Sequence, residues 1–384
     1  MKKIFILFYL FAISLNSKGQ DKTIVFDEEI LTHNKAKSSN TSIKAEITKL
    51  KREADKFLDL SNLNVTTKIE LPPSKDKHDF YSLSIYWWPN PKTSDGLPYI
   101  PKDGQPNPGR LKIKDLSNLI QISKAVKILG LTYYYTSDKK YSTKVQQILS
   151  IWFLNQKTKM NPNLNFSGSI PGVSNGRPEG IIDGRYFIEL IDGMILAQEG
   201  ISDETFIGVR NWFREYNNWL ENSSIGKQGK NLTNNIGTSY YLQRLTCLRL
   251  LGENIKAKNL IKSEVIPLMN SQFDSEGGQI LENKRTRSWT YSIANLKYWF
   301  NISKIADDLG IDLISKGPLS RGYYYLQSYT NSEKKWNKLQ IKTVDYNTSL
   351  NTLIPYAERR LDKKNINSKI SKMSSDFILS EIKF

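Results

Sequence analysis

The sequence predicts an all-α protein made of helical hairpins packed in a ring or solenoid. Three observations carry this reading. Apolar residues recur at three- and four-residue spacing through most of the chain after residue 43. Alternating apolar and polar runs, the mark of half-buried strands, are scarce. The helical segments are similar in length, are joined by loops throughout, and show no composition break after residue 43.

Residues 20–42 are polar and are expected to be irregular. From there Ile43, Ile47, Leu50, Ala54, Phe57 and Leu58 share one helical face. Residues 71–110 break the pattern, holding eight of the 14 prolines and a dense aromatic cluster. Leu116, Leu119, Ile120 and Val126 form the next face, which is expected to end at Gly130. Val145, Ile148, Leu149, Trp152 and Phe153 form another. A second loop rich in Asn, Gly and Pro covers 155–180. Helices are expected near 183–199, 203–222, 237–251, 257–272 and 289–309, and in the tail near 318–328, 347–361 and 366–380. The 203–222 stripe is the clearest: Phe206, Val209, Trp212, Phe213, Tyr216, Trp219 and Leu220 fall on one side. Long loops inside a compact domain usually carry function, so a site is sought at 71–110 and 155–180.

Composition narrows the chemistry. Across 384 residues, 55 Lys and Arg against 38 Asp and Glu leave a net charge of +17. That balance favours an anionic partner, although only 13 of the 55 bases are Arg, and dispersed Lys often only solvates a surface. One Cys, Cys247, allows no internal disulfide. Two His, His33 and His78, leave no room for a His- or Cys-rich zinc site. The first residues read as a secretory leader: Lys2 and Lys3, a short apolar run from Ile4 to Ile13, then Ser17 and Gly19 before Gln20. The run is too short for a membrane span, so no membrane insertion is expected. No Cys follows for lipid attachment. Removing residues 1–19 takes away three lysines and no acid, which lowers +17 to +14. Export to the periplasm or beyond, and the lack of a nucleic-acid motif, argue against a nucleic-acid partner. An acidic polysaccharide fits better.

Four segments can carry chemistry. The first loop holds His78-Asp79-Phe80, Tyr86-Trp87-Trp88-Pro89-Asn90-Pro91 and Lys102-Asp103-Gly104. Its aromatic faces and polar groups suit a sugar, although Trp87 and Trp88 can equally anchor the loop. The second loop holds Met160-Asn161-Pro162-Asn163-Leu164-Asn165 and Ile170-Pro171-Gly172-Val173, then Gly176-Arg177. Arg177 is either an anion contact or a surface residue in a turn. Asn234-Asn235-Ile236-Gly237-Thr238 opens a helix, where tandem Asn can simply cap it. Glu282-Asn283-Lys284-Arg285-Thr286-Arg287-Ser288-Trp289-Thr290-Tyr291-Ser292 opens another.

Taken together and in this order, over about residues 76–300, these segments resemble the alginate lyase family of polysaccharide lyases. The resemblance implies an incomplete (α/α) toroid with long loops over a groove, as one domain from 43 to 384 after a leader (1–19) and the irregular segment (20–42). It implies β-elimination on a uronate polymer with no metal or cofactor. By position it implies Tyr291 as base and acid, and Asn235 and Arg285 as the groups that neutralise the substrate carboxylate. Substrate contacts are expected at Asn234, Arg177, Arg287, Trp88, His78 and Tyr240. One departure stands out. Where the family carries His after the paired Asn, this chain has Ile236, which cannot transfer a proton. The resemblance therefore leaves two readings: a lyase working through Tyr291 alone, or a non-catalytic carbohydrate binder.

Overall fold

The structure is a computed structural model, and it describes residues 22–315, 317–330, 334–361 and 375–381. The expected leader, and most of the helix expected at 366–380, lie outside these residues.

The helices are α1 (Glu28–Ala36), α2 (Thr41–Asp55), α3 (Asp115–Thr136), α4 (Lys139–Leu149), α5 (Phe187–Leu196), α6 (Asp203–Asn222), α7 (Ser224–Lys230) and α8 (Asn235–Leu250). They continue with α9 (Asn254–Leu260), α10 (Ile266–Gln272), α11 (Ser288–Asp308), α12 (Leu319–Gln327), α13 (Tyr346–Asn351), α14 (Ile354–Arg360) and α15 (Ser375–Glu381). Four short strands, β1 (Tyr81–Leu83), β2 (Trp87–Trp88), β3 (Ile100–Pro101) and β4 (Phe166–Ser169), and several short 3-10 and π turns lie between the helices.

Neighbouring helices pack in a ring. α3 packs on α5, α5 on α8 and α8 on α11. Outside them α2 and α4 lie on α3, α6 lies on α8, and α12 lies on α11. Lys127 of α3, Glu189 of α5, Leu242 of α8 and Lys297 of α11 face one shared cavity of about 440 Å³, which Asp376 of α15 also lines. Inner helices around a central cavity and outer helices behind them make an incomplete (α/α) toroid, as the sequence predicts. The α6 stripe is buried apart from the half-buried Trp219, with Phe213, Tyr216 and Leu220 fully covered. Phe153 and Phe187 join it edge-to-face against Trp212, at centroid separations of 4.8 and 5.4 Å. Such pairs add about 0.5–1.5 kcal/mol each beyond their buried area.

Two expectations are corrected. Residues 20–42 are not irregular throughout. Asp27 caps α1 by accepting from the backbone N–H groups of Glu29 and Ile30, and Ile30 and Leu31 are buried. A nine-residue helix with two core contacts is too short to show a period. Nor does α3 stop at Gly130; it runs on to Thr136. A Cβ on Gly130 would lie 2.0 Å from the Gly193 carbonyl oxygen, and one on Gly193 would lie 2.5 Å from that of Val126. Gly130 is therefore a crossing point where α3 and α5 touch backbone to backbone, not a terminator.

The N-terminal segment is fastened by one buried carboxylate. Asp192, on α5, accepts from the backbone N–H groups of Ile24, Val25 and Phe26 at 2.6, 2.8 and 2.7 Å. Burial pushes its pKa up to about 7, against the pull of those three donors. Asp192→Ala strands three buried N–H groups at once. It should cost about 3 kcal/mol or more, read as a lower denaturant midpoint with an unchanged slope.

Candidate active site

The two long loops are stitched to each other before they meet the helices. β1 pairs with β4 in parallel. Behind this pair the Asp183 carboxylate accepts from the hydroxyls of Ser82 and Ser167 at 2.6 and 2.7 Å. His78 bonds through Nδ1 to the Lys159 carbonyl at 2.6 Å. Next to it, Asn161 donates to the Asp79 carboxylate at 2.8 Å. His78 thus latches the loops together through its Nδ1. Arg177 joins the same seam, donating to the Ser84 hydroxyl at 2.9 Å, with its guanidinium 6.0 Å from the Trp87 ring centre.

β2 and β3 then form a small antiparallel hairpin, Trp87 opposite Pro101 and Trp88 opposite Ile100. The Trp88 indole N–H donates to the Gln105 carbonyl at 2.8 Å, and the Lys102 ammonium sits 4.9 Å from its ring centre. The hairpin carries Tyr86 just before β2 and Asp103 just after β3. Lys102 closes it by donating its backbone N–H to the Tyr86 carbonyl at 2.7 Å. Gly104 follows with φ of +74°, and a Cβ there would fall 2.3 Å from the Thr286 hydroxyl. Only glycine allows this turn to press so closely on the segment that opens α11.

Through the hairpin, four groups converge at the start of α11. The Tyr291 and Tyr86 hydroxyls are 2.6 Å apart. The Arg285 guanidinium lies over the Tyr291 ring, 4.0 Å from its centre. Arg285 also grips Asp103 with two nitrogens, at 2.7 and 3.3 Å, while the Thr286 hydroxyl donates to the same carboxylate at 2.9 Å. Burial raises the Asp103 carboxyl, but Arg285 and Thr286 outweigh it and hold the pKa below the usual range. Burial and the Tyr86 hydroxyl push the Tyr291 phenol well above its ordinary value, and Arg285 opposes them.

Asn235 reaches the same place from α8. Its backbone N–H donates to Glu282 at 2.8 Å, and Glu282 sits on the short turn Glu282–Lys284 that leads into Arg285. Asn235 is 3 % exposed, and its side-chain oxygen has no hydrogen-bond partner. Beneath it, the Gln272 amide donates to the Asn234 carbonyl and the Thr238 hydroxyl at 3.1 and 2.9 Å. The Gln272 side-chain oxygen accepts from Asn295 and Trp299 at 2.8 and 2.9 Å. α8, α10 and α11 are thereby locked together directly under the site.

The structure therefore brings Tyr291, Arg285 and Asn235 into one neighbourhood. It adds Tyr86, Asp103 and Glu282, which the sequence analysis quotes within its candidate segments without giving them individual roles. Two expected contacts behave otherwise. Tyr240 is 2 % exposed, and its hydroxyl donates to the Leu220 carbonyl, so it offers no face to a ligand. Asn234 caps α8, accepting from the Ile236 N–H at 3.0 Å. Arg287 is half-buried and pairs through its backbone with Gln340. Ile236 is buried beside Asn235. Among the described residues, no group of three or more His, Cys, Asp or Glu could hold a metal ion, and no helix is long and apolar enough to cross a membrane.

The helical toroid defines a class of fold, and comparison with known proteins gives its family. The alginate lyase family model matches residues 64–336. The chain belongs to the alginate lyase family. The crystal structure of an alginate lyase from Bacteroides ovatus is similar at 32 % identity, covering 88 % of this chain and 92 % of that one, with a TM-score of 0.83. Alginate lyase A1-III from Sphingomonas species A1 aligns at 11 % identity over 85 % of this chain and 84 % of that one, with a TM-score of 0.40. No curated protein matches the chain.

Asp103 and Arg285 side chains are 39 % and 30 % exposed, so solvent screens their pairing. Asp103→Ala should cost only about 1 kcal/mol of stability. A loss several times larger on thermal melting would mean that the pair holds up the fold.

Proposed function

We propose that this protein is an exported polysaccharide lyase that cleaves an alginate-like uronate polymer by β-elimination. The carrying observation is the convergence of Tyr291, Arg285 and Asn235. The proton next to a carboxylate is poorly acidic, because its removal builds negative charge on that group. Donors must neutralise the carboxylate, a base must take the proton, and an acid must protonate the departing glycosidic oxygen. In this reading Arg285 and the Asn235 amide neutralise the carboxylate. The Tyr291 phenolate takes the proton from the sugar carbon, and the phenol so formed returns it to the leaving oxygen on the same face. The proton count closes on one residue, so Ile236 in the family's His position does not break the cycle. Arg285, with its guanidinium over the Tyr291 ring, favours the phenolate in place of the absent His, while Tyr86 holds the phenol oxygen in position.

Arg177, Arg287, Trp88 and the +17 charge suit an acidic chain in the loops above. Asn234 and His78 contribute by holding those loops and the α8 terminus in place. The leader-like start supports delivery to the periplasm or outside the cell. Ile236 supports a second reading, a carbohydrate binder without turnover.

Purified protein incubated with polymannuronate, polyguluronate, glucuronan and glycosaminoglycans separates the two. The unsaturated product absorbs in the ultraviolet, and binding without product would leave only the second reading. Tyr291→Phe should remove activity without lowering stability, and Asn235→Ala or Arg285→Ala should lower turnover by about 100-fold or more. A fully active Tyr291→Phe would overturn the mechanism. Because burial and Tyr86 raise the phenol's pKa and the base form must be ionised, kcat should climb with pH on the alkaline side. A flat kcat there would exclude Tyr291 as the base.

A further inference from the structure

Glu282 is a carboxyl group that the reaction above does not use. It is 2 % exposed. One oxygen accepts the Asn235 backbone N–H at 2.8 Å, while the other has no hydrogen-bond partner. The side-chain oxygen of Asn235 is also buried and unpartnered. Two buried acceptors, on residues joined by that hydrogen bond and neither with a donor, are costly as they stand. The neighbouring charges do not relieve this. Arg285, three residues on, has its paired nitrogens on Asp103. Tyr298 of α11 feels the Glu282 charge but cannot neutralise it. An ionised Glu282 would leave two carboxylates around one guanidinium, and a bound uronate would add a third.

We propose that Glu282 is a positioning residue held as a neutral carboxylic acid, its proton donated to the Asn235 side-chain oxygen so that the Asn235 amide N–H groups face the substrate carboxylate. This rests on the role given to Asn235 above. One proton satisfies both orphaned oxygens and removes a negative charge from the place where a carboxylate must bind. Burial favours the neutral form, against the Asn235 N–H and Arg285.

Infrared difference spectra of wild type minus Glu282→Gln read the protonation state whether or not any polymer is cleaved. The carbonyl stretch of a protonated carboxyl should appear in the wild type at neutral pH and vanish in the variant. A carboxylate band in its place overturns the proposal. Positioning is tested by kinetics on the polymer found active in the panel above. Glu282→Ala should raise KM by about ten-fold or more, and Glu282→Gln, which mimics the neutral acid, should recover most of that. In the wild type KM should rise as alkali ionises Glu282, and in Glu282→Gln it should stay flat. An identical alkaline rise in both proteins, or a Gln variant as impaired as Ala, would refute the positioning role even if the band is present.

Discussion

The amide of Gln272 is the constraint on which the site depends. It is buried at the end of α10, and it donates to the start of α8, at Asn234 and Thr238, and accepts from α11. Asn295 continues the network to Gln279, whose own amide donates to the Ser292 carbonyl at 2.7 Å. Apart from the Asn295 side-chain oxygen, the side-chain groups of this network have partners, and such a buried network fixes one arrangement of the helices, because any shift strands several groups at low dielectric. The turn with Asn235 and the start of α11 with Tyr291 are therefore set by side chains one layer below them. The toroid supplies helix ends, and this belt fixes their relative heights.

Above that layer the hairpin around Trp87 and Trp88 works as a clamp. It touches α11 through Tyr86 on one side and through Asp103 on the other, and both contacts are polar. Asp103 holds the guanidinium over the Tyr291 ring, while Tyr86 holds the phenol oxygen. Position is thus specified for the ring and its oxygen separately. The loop that carries the hairpin is joined to the 155–180 loop through His78 and Asn161 and, from behind, through Asp183.

Much of this was legible in the sequence, and the failures have physical causes. The α6 stripe, the all-helical class and the order of the motifs were readable because they are local patterns. Tyr86 and Asp103 were not, since their partners lie 205 and 182 residues away, and no periodicity encodes such a contact. Glu282 stood at the head of the fourth segment without a role, because an acid beside Asn and Lys reads as solvated surface. Tyr240 misled in the opposite sense: a tyrosine next to the paired Asn looks like a site residue, yet α8 is buried on nearly every side and turns it into the core. Asn234 shows the cap and the motif coinciding, one Asn serving the helix and the next the site. Gly130 misled because glycine ends helices and also lets them touch, and only the partner Gly193 tells which.

That glycine pair has a consequence for how the family can vary. A helix crossing at backbone distance has no side chain to trim or enlarge, so it cannot be tuned by small steps. A change at Gly130 must be met at the same moment by movement of α5, and α5 carries both Asp192 and Glu189. The crossing therefore couples the anchoring of the N-terminal segment to the wall of the central cavity, and drift at one tends to be barred by the other. Diversity should collect in the loop cover, where contacts are made by long side chains with room to adjust, while this inner crossing stays unchanged.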